Sequence, residues 1–186
     1  SAKSRLDIII DWLKSDLCDV LLLQETKSQD ENFPREAFSS LGWHVTIHGQ
    51  KSYNGVAIAS RHPMKDIICG LPGNDNDEQA RYIEATIETV RVASIYLPNG
   101  NPAPGPKFDY KLQWMERLNQ RAAALLASEQ PIVLGGDFNV IPDDLDCYDP
   151  LGWEGDALTH SETRRAFRTL THTGYCDALR ARHPHE

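Results

Sequence analysis

The chain has 186 residues, 40% apolar and 25% charged, the size and balance of one globular domain with enough sequence for a sizeable core. Its net charge of −8 argues against a general nucleic-acid-binding surface, and no apolar run approaches the roughly 20 residues of a membrane span. Four cysteines without Cys-x-x-Cys spacing exclude a zinc or redox pair of that kind; they read as reduced thiols and, with no apolar signal core at the amino terminus, point to a cytoplasmic protein.

Leu6, Ile9, Ile10, Leu13 and Leu17 recur at helical spacing, so residues 4 to 16 are expected to form an amphipathic helix packed on a sheet. Asp19 to Leu23 is an apolar run of strand length and predicts a strand buried on both faces. The polar Gln24-Glu25-Thr26-Lys27 follows it, at the kind of sheet edge where α/β proteins place ligands. Trp43 to His48, Gly55 to Ser60 and Asp66 to Cys69 read as strands, with a turn at Ser52 to Gly55. Tyr82 to Glu88 alternates strictly, predicting a half-buried strand with Tyr82, Glu84, Thr86 and Glu88 on its polar face, and Val92 to Leu97 should pair with it as an antiparallel hairpin. The acidic segment 74 to 78 and the proline-rich segment 98 to 106 are loops. Trp114, Leu118, Ala122 and Leu125 mark the longest helix, over 108 to 128. A last helix begins near Thr159, with a capping box from Thr159 to Glu162 and a buried side at Phe167 and Leu170. This order predicts sheets covered by helices, an α/β layered sandwich in a single domain over 1–186.

The chemistry concentrates at residues 131 to 139, Pro-Ile-Val-Leu-Gly-Gly-Asp-Phe-Asn. Strand alternation would place Asp137 and Asn139 on one side of the strand's carboxyl end, with Gly135 and Gly136 leaving the approach open to a substrate. A carboxylate beside a carboxamide can take a proton from water while holding a metal-bound or phosphate oxygen; the same residues also read as a plain turn closing a strand. His44 and His48 lack a nearby carboxylate or cysteine to complete a zinc set, and read as core or surface histidines. Asp143, Asp144 and Asp146 read as an exposed acidic turn, with no glycine where an EF-hand loop needs one. Arg164, Arg165, Arg168, Arg180 and Arg182 form the basic concentration, either a phosphate-contact patch or a solvated helix face. His183 and His185 flank Pro184 at the chain end and are expected to be mobile.

Five motifs follow one another in the chain. They are Leu-Leu-Gln-Glu-Thr-Lys at 22 to 27, Tyr-Asn-Gly-Val-Ala at 53 to 57, Tyr-Leu-Pro-Asn-Gly at 96 to 100, Gly-Gly-Asp-Phe-Asn-Val at 135 to 140 and Asp-Cys-Tyr-Asp-Pro at 146 to 150. In order and context they resemble the exonuclease III family of the endonuclease/exonuclease/phosphatase superfamily, and the resemblance continues through Arg164 to Arg168 and Asp177 to Arg180. It implies a DNase I-like, four-layer α/β sandwich of two mixed sheets flanked by helices. It also implies a Mg²⁺-dependent DNA-repair enzyme, with Mn²⁺ as an alternative ion, that trims 3′ ends and incises double-stranded DNA beside abasic sites. Carried over by motif, the metal contacts are Glu25, Asp137 and Asn139, with Glu25 the metal-binding carboxylate, in keeping with the oxygen preference of Mg²⁺. Asp137 is then the base that activates water, Asn139 positions that water and the phosphate, Tyr96 offers its phenol to a phosphate oxygen, and Asn99 contacts substrate. The full-length family member is expected to be monomeric and free of membrane contact.

The family's pattern opens with a strand carrying an active-site asparagine and closes with a further catalytic aspartate and an Asp-His pair. This chain shows neither, so it reads as incomplete at both ends and as poorly active alone, since losing one member of a cooperating catalytic set costs orders of magnitude in rate. Two other readings stay open: a phosphoesterase of the same superfamily acting on a lipid or inositol phosphate, and a non-catalytic module that binds nucleic acid or protein. The Asp-Cys-Tyr-Asp-Pro segment and the arginine-rich helix favour the DNA branch, while Glu25, Asp137 and Asn139 together favour an enzyme.

Overall fold

The computed structural model describes residues 1–184, which form two compact units. The first takes Ser1–Tyr96 with Gln130–Asp137; the second takes Leu97–Glu129 and the chain from Phe138 onward.

The first unit opens with a 3-10 turn and helix α1 (Leu6–Leu13). Its Leu6, Ile9, Ile10 and Leu13 pack onto Phe33, Trp43, Ile47, Ala57, Ala59 and Phe38, the last from the short helix α2 (Arg35–Ser39). The expected extension to residue 16 does not form: the backbone turns at Asp16, whose φ is 62°, and Leu17 stands in solvent. Strands β1 (Val20–Gln24), β2 (His44–His48) and β3 (Val56–Ser60) make a sheet in the order β1-β3-β2, antiparallel throughout. A second sheet, in the order β4-β5-β6-β7, holds β4 (Met64–Cys69), β5 (Tyr82–Ile87), β6 (Val90–Tyr96) and β7 (Ile132–Asp137). Its one parallel pairing is β6 with β7, and the expected hairpin is β5 with β6.

Two burial expectations change once the sheets are assembled. β1, read as buried on both faces, is half-buried along its length, because it is an edge strand. The strand enclosed on both faces is the central β3, whose Ala57 and Ala59 face the helical core while Val56 and Ile58 pack on Ile83, Ala85, Ile87 and Val92 of the second sheet. β5, read as half-buried, is enclosed on its polar face too. Glu84 is fully buried there; its Oε1 accepts from Arg91 at 2.7 Å and its Oε2 from the Tyr82 hydroxyl at 2.5 Å. Arg91 also donates to the Asp66 carbonyl and to Thr86 Oγ1. Alternating polar residues here signal a paired internal network, since buried charge survives only when it is bonded.

In the second unit, helix α3 (Pro106–Leu126) starts with proline at its first position, where a missing N–H costs nothing. Phe108, Lys111, Met115, Leu118, Ala122 and Leu125 line its buried side at intervals of three and four. α4 (Ser161–His172) packs on it, with Asn119 donating to the Ala166 carbonyl and Leu170 buried, and α5 (Ala178–Arg182) follows. Phe167 is partly buried, in edge contact with Phe138. The capping box predicted at Thr159 is absent: His160 is the cap, its Nδ1 accepting from the Glu162 N–H, while the Thr159 hydroxyl donates to the Trp153 carbonyl. A capping box does form in the acidic turn, where Asp143 and Asp146 cap one another's backbone.

That turn draws in two arginines: Arg164 reaches Asp144 at 2.8 Å and Arg180 pairs with Asp146. The basic concentration therefore divides, with Arg164 and Arg180 built into the unit and Arg165, Arg168 and Arg182 exposed. All four cysteines are free thiols. Among the described residues no helix is long and apolar enough to cross a membrane. His44 is exposed and His48 half-buried, its pKa lowered by that burial, so neither belongs to a metal cluster of the described residues. His183 is exposed, and His185 lies outside the described residues.

Candidate active site

Glu25, Tyr96 and Asp137 come together in the first unit. β1 ends at Gln24, and Glu25 turns out of the strand at a positive φ of 51°. A neighbouring turn holds it there: the Thr26 N–H donates to the Gly55 carbonyl at 3.1 Å and the Lys27 N–H to the Asn54 carbonyl at 2.9 Å. Gly55 is required at this crossing, since it sits at φ +89° and a Cβ would collide with the Thr26 hydroxyl. Asn54 is in turn fixed by donating to Gln50 Oε1, which also accepts from the Ala80 N–H. The Tyr-Asn-Gly motif thus shapes the turn that presents Glu25.

The two sheets are joined directly beside this point. Gln24 Nε2 donates to Ser94 Oγ at 3.0 Å, and Ser94 donates onward to the Leu23 carbonyl. Two residues after Ser94, Tyr96 closes β6 and places its phenol against Glu25 Oε1 at 2.5 Å. Lys27 Nζ lies 3.0 Å from the other carboxylate oxygen. The Tyr96 hydrogen bond and then the Lys27 ammonium hold the Glu25 pKa below its ordinary value of 4.5, so the carboxylate is ionised at neutral pH. Burial first, and the bond to Glu25 second, push the Tyr96 pKa up to about 12, which keeps the phenol protonated as a donor. Asp137 is the parallel partner of Tyr96 in the β6–β7 register, and its negative charge also opposes ionisation of the phenol.

Arg81 is a member of this group that the sequence analysis did not single out. Its guanidinium stacks 4.8 Å above the Tyr96 ring, its Nη1 donates to the Tyr96 carbonyl, and its Nε is held by Gln79 Oε1. A lone arginine before a strand carries no local signal; only the pairing of β5 with β6 brings it to Tyr96.

The glycines before Asp137 have a packing role that the strand pattern did not show. A Cβ on Gly135 would lie 2.6 Å from Leu22 Cδ1, and one on Gly136, at φ +141°, would strike the backbone of Ile95. They let β7 approach its neighbours.

Asn99 and Asn139 belong to the second unit, where they meet each other. β7 stops at Asp137 and Asn139 adopts φ +46°, so the strand alternation from which the two were read as sharing a side does not reach Asn139. Asn139 Nδ2 donates to the Leu97 carbonyl at 2.8 Å, and Asn99 Nδ2 approaches Asn139 Oδ1 at 3.5 Å. Beneath both runs the buried Lys111, whose ammonium donates to the backbone carbonyls of Asn139 at 2.6 Å and Asn99 at 3.0 Å. A lysine at an apolar position of the α3 stripe was the available sequence signal for this residue.

Glu25 and Asp137 offer hard oxygen donors, and Glu25 is held in the charged form such an ion needs. Among the described residues no group of three or more His, Cys, Asp or Glu side chains is gathered for metal binding. This donor set fits Mg²⁺, which usually takes one or two protein carboxylates and keeps several waters.

The pattern of the Endonuclease/Exonuclease/phosphatase family matches residues 1–183. The exodeoxyribonuclease III of Haemophilus influenzae is 39% identical over 133 residues, covering 69% of this chain and 50% of that protein. Among solved structures, an AP endonuclease from Archaeoglobus fulgidus superposes with a TM-score of 0.95 at 38% identity, covering 100% of this chain and 72% of that one. A 3′ phosphatase, NExo, from Neisseria, solved bound to a product DNA hairpin, does so at 0.95 and 40% identity, covering 99% and 72%. This chain therefore spans half the length of the Haemophilus protein and 72% of each solved chain. The expected architecture, two sheets with flanking helices, is borne out by these likenesses. The chain belongs to the endonuclease/exonuclease/phosphatase family, on its exonuclease III branch.

Proposed function

We propose that this chain is the catalytic part of a divalent-metal-dependent DNA-repair nuclease. It hydrolyses phosphodiester bonds of double-stranded DNA beside abasic sites and at 3′ ends, with Mg²⁺ as the preferred ion and Mn²⁺ as a substitute. The observation that carries this is the ionised Glu25, hydrogen-bonded at 2.5 Å to a phenol that stays protonated, with Asp137 adjacent in the strand register. The relatives named for exodeoxyribonuclease and AP endonuclease activity, and the one bound to a DNA hairpin, support DNA as the substrate class. Four free thiols suit a reducing compartment and support a cytoplasmic setting.

Glu25 and Asp137 would hold the cation; when bound, it neutralises phosphate charge and makes the attacking water more acidic. Asp137 takes the proton of that water as its oxygen bonds to phosphorus and the bond from phosphorus to the leaving sugar oxygen breaks, that oxygen taking a proton from solvent water to leave as a hydroxyl. Tyr96 has a single O–H and donates it as a hydrogen bond to Glu25 in this structure, so its contact with a phosphate oxygen requires the phenol to turn away from the carboxylate. A pKa of about 12 means that it donates without ionising. Asn139 and Asn99 contribute carboxamide donors for the water and the phosphate.

The test is cleavage of a labelled duplex bearing one abasic site, with Mg²⁺ or EDTA, by the full-length protein and its Asp137→Ala variant. Phosphoinositide hydrolysis is measured beside it. Cleavage lost with EDTA and with Asp137→Ala is expected. Hydrolysis of the phosphoinositide alone, or salt-sensitive DNA binding without cleavage in Mg²⁺ or Mn²⁺, would overturn the assignment in favour of a lipid phosphoesterase or a binding module.

A further inference from the structure

Lys111 stands on the apolar side of α3, three residues after Phe108 and four before Met115, and is fully enclosed. Lysine is almost never buried in this way unless its charge is bonded. Its ammonium reaches across two separate loops, to the carbonyl of Asn139 at 2.6 Å and that of Asn99 at 3.0 Å. The loop after Leu97 closes over the lysine stem so tightly that a Cβ on Gly100 would lie 2.6 Å from Lys111 Cδ. Asn139 sits at φ +46°, in the left-handed region that asparagine adopts more readily than most side chains.

Packing does not account for a lysine here. The stripe Phe108, Met115, Leu118, Ala122 would accept methionine at 111, which matches the lysine stem as far as Cε, without the cost of enclosing a charge. What methionine cannot supply is an N–H donor shared between two carbonyls. Because both bonds end on main chain, they fix where the Asn99 and Asn139 backbones lie, and hence the origin of each carboxamide.

We propose that Lys111 is a positioning residue: its buried ammonium ties the Asn99 and Asn139 loops together and so sets the two carboxamides that, on the nuclease reading proposed above, hold the phosphate and the attacking water.

The deciding variant is Lys111→Met in the full-length protein, which keeps the stem and removes the charge. Amide hydrogen exchange requires no turnover. Residues 99–101 and 138–140 should exchange about tenfold faster or more, while the central turns of α3 stay within about threefold. On abasic duplex DNA with Mg²⁺, kcat should fall about 10–100-fold with KM held within about threefold, because a displaced carboxamide loses its contact mainly in the transition state. Unchanged exchange in both loops would overturn the proposal, as would a variant with lowered Tm but undiminished kcat per folded molecule. Should Lys111→Met not fold, Lys111→Ala is measured with propylammonium or with propanol. Recovery of kcat by the amine alone supports the role, and equal recovery by both shows that filled volume suffices and overturns it. A wild type that hydrolyses no phosphoester refutes the nuclease reading, and the exchange result still decides separately whether Lys111 holds the two loops.

Discussion

Replacing Arg91 by methionine should destabilise the protein by about 3–5 kcal/mol, the usual cost of removing one partner from a buried ion pair. The Glu84 side chain is 0% exposed and that of Arg91 6%, so water cannot take the place of the lost guanidinium. The substitution also withdraws the donor from the Asp66 carbonyl and from Thr86 Oγ1. At about 2–4 °C per kcal/mol for a chain of this length, Tm should drop by about 6–20 °C. Urea unfolding followed by the fluorescence of the four tryptophans measures the change directly, with the m-value serving as the check that one transition is being compared. The triple variant Tyr82→Phe, Glu84→Leu, Arg91→Met removes the carboxylate, its phenol donor and its guanidinium together. It should recover most of the loss, since replacing a whole buried polar set by apolar groups is often close to neutral. A loss below about 1 kcal/mol for Arg91→Met, or a triple variant no more stable than the single one, would refute the view that these groups form one interdependent buried network.

Gly136→Ala should cost about 3 kcal/mol or more and abolish activity, because the new methyl meets the backbone of Ile95, whereas Gly42→Ala, also at positive φ but with open space, should cost about 1 kcal/mol; equal costs by urea unfolding would refute the packing argument. Tyr96→Phe should raise the Glu25 pKa toward 4.5 and lower kcat about 10²-fold, read by carboxyl ¹³C titration and by cleavage of abasic DNA. The sign follows from linkage: a depressed Glu25 pKa contributes stability that is present above 4.5 and fades as pH falls through the lowered folded value, so Tyr96→Phe should weaken that acid-side dependence. Spectrophotometric titration of wild type minus Tyr96→Phe should show the missing phenol ionising at about 12, and a midpoint near 10.0 would refute the burial argument.

The strand and helix order was legible because local periodicity records it. β2 to β6 and α3 fall close to their expected bounds, Glu25 and Asp137 were marked by polar residues at the ends of apolar strands, and Tyr96 by its motif. The capping box at Thr159 failed because a local pattern says only that a bond can form; here Trp153 offered the Thr159 hydroxyl another acceptor and His160 took the cap. Asn139 lies beyond the strand from which its placement was read, since alternation counts residues and cannot show that β7 ends at Asp137.

By itself, then, the amino-acid order determined the α/β class, the strand ends that carry polar chemistry and the family to which the five motifs point. Tertiary structure alone decided that the polar face of β5 is an internal ion-pair network, that Gly135 and Gly136 serve close strand packing, and that Arg81 and Lys111 stand beside Tyr96 and beneath the two asparagines. The physical reason is one of range. Helix and strand periodicity depend on neighbours a few residues away, whereas the worth of a charge or the need for a glycine is set by whichever distant segment closes over it.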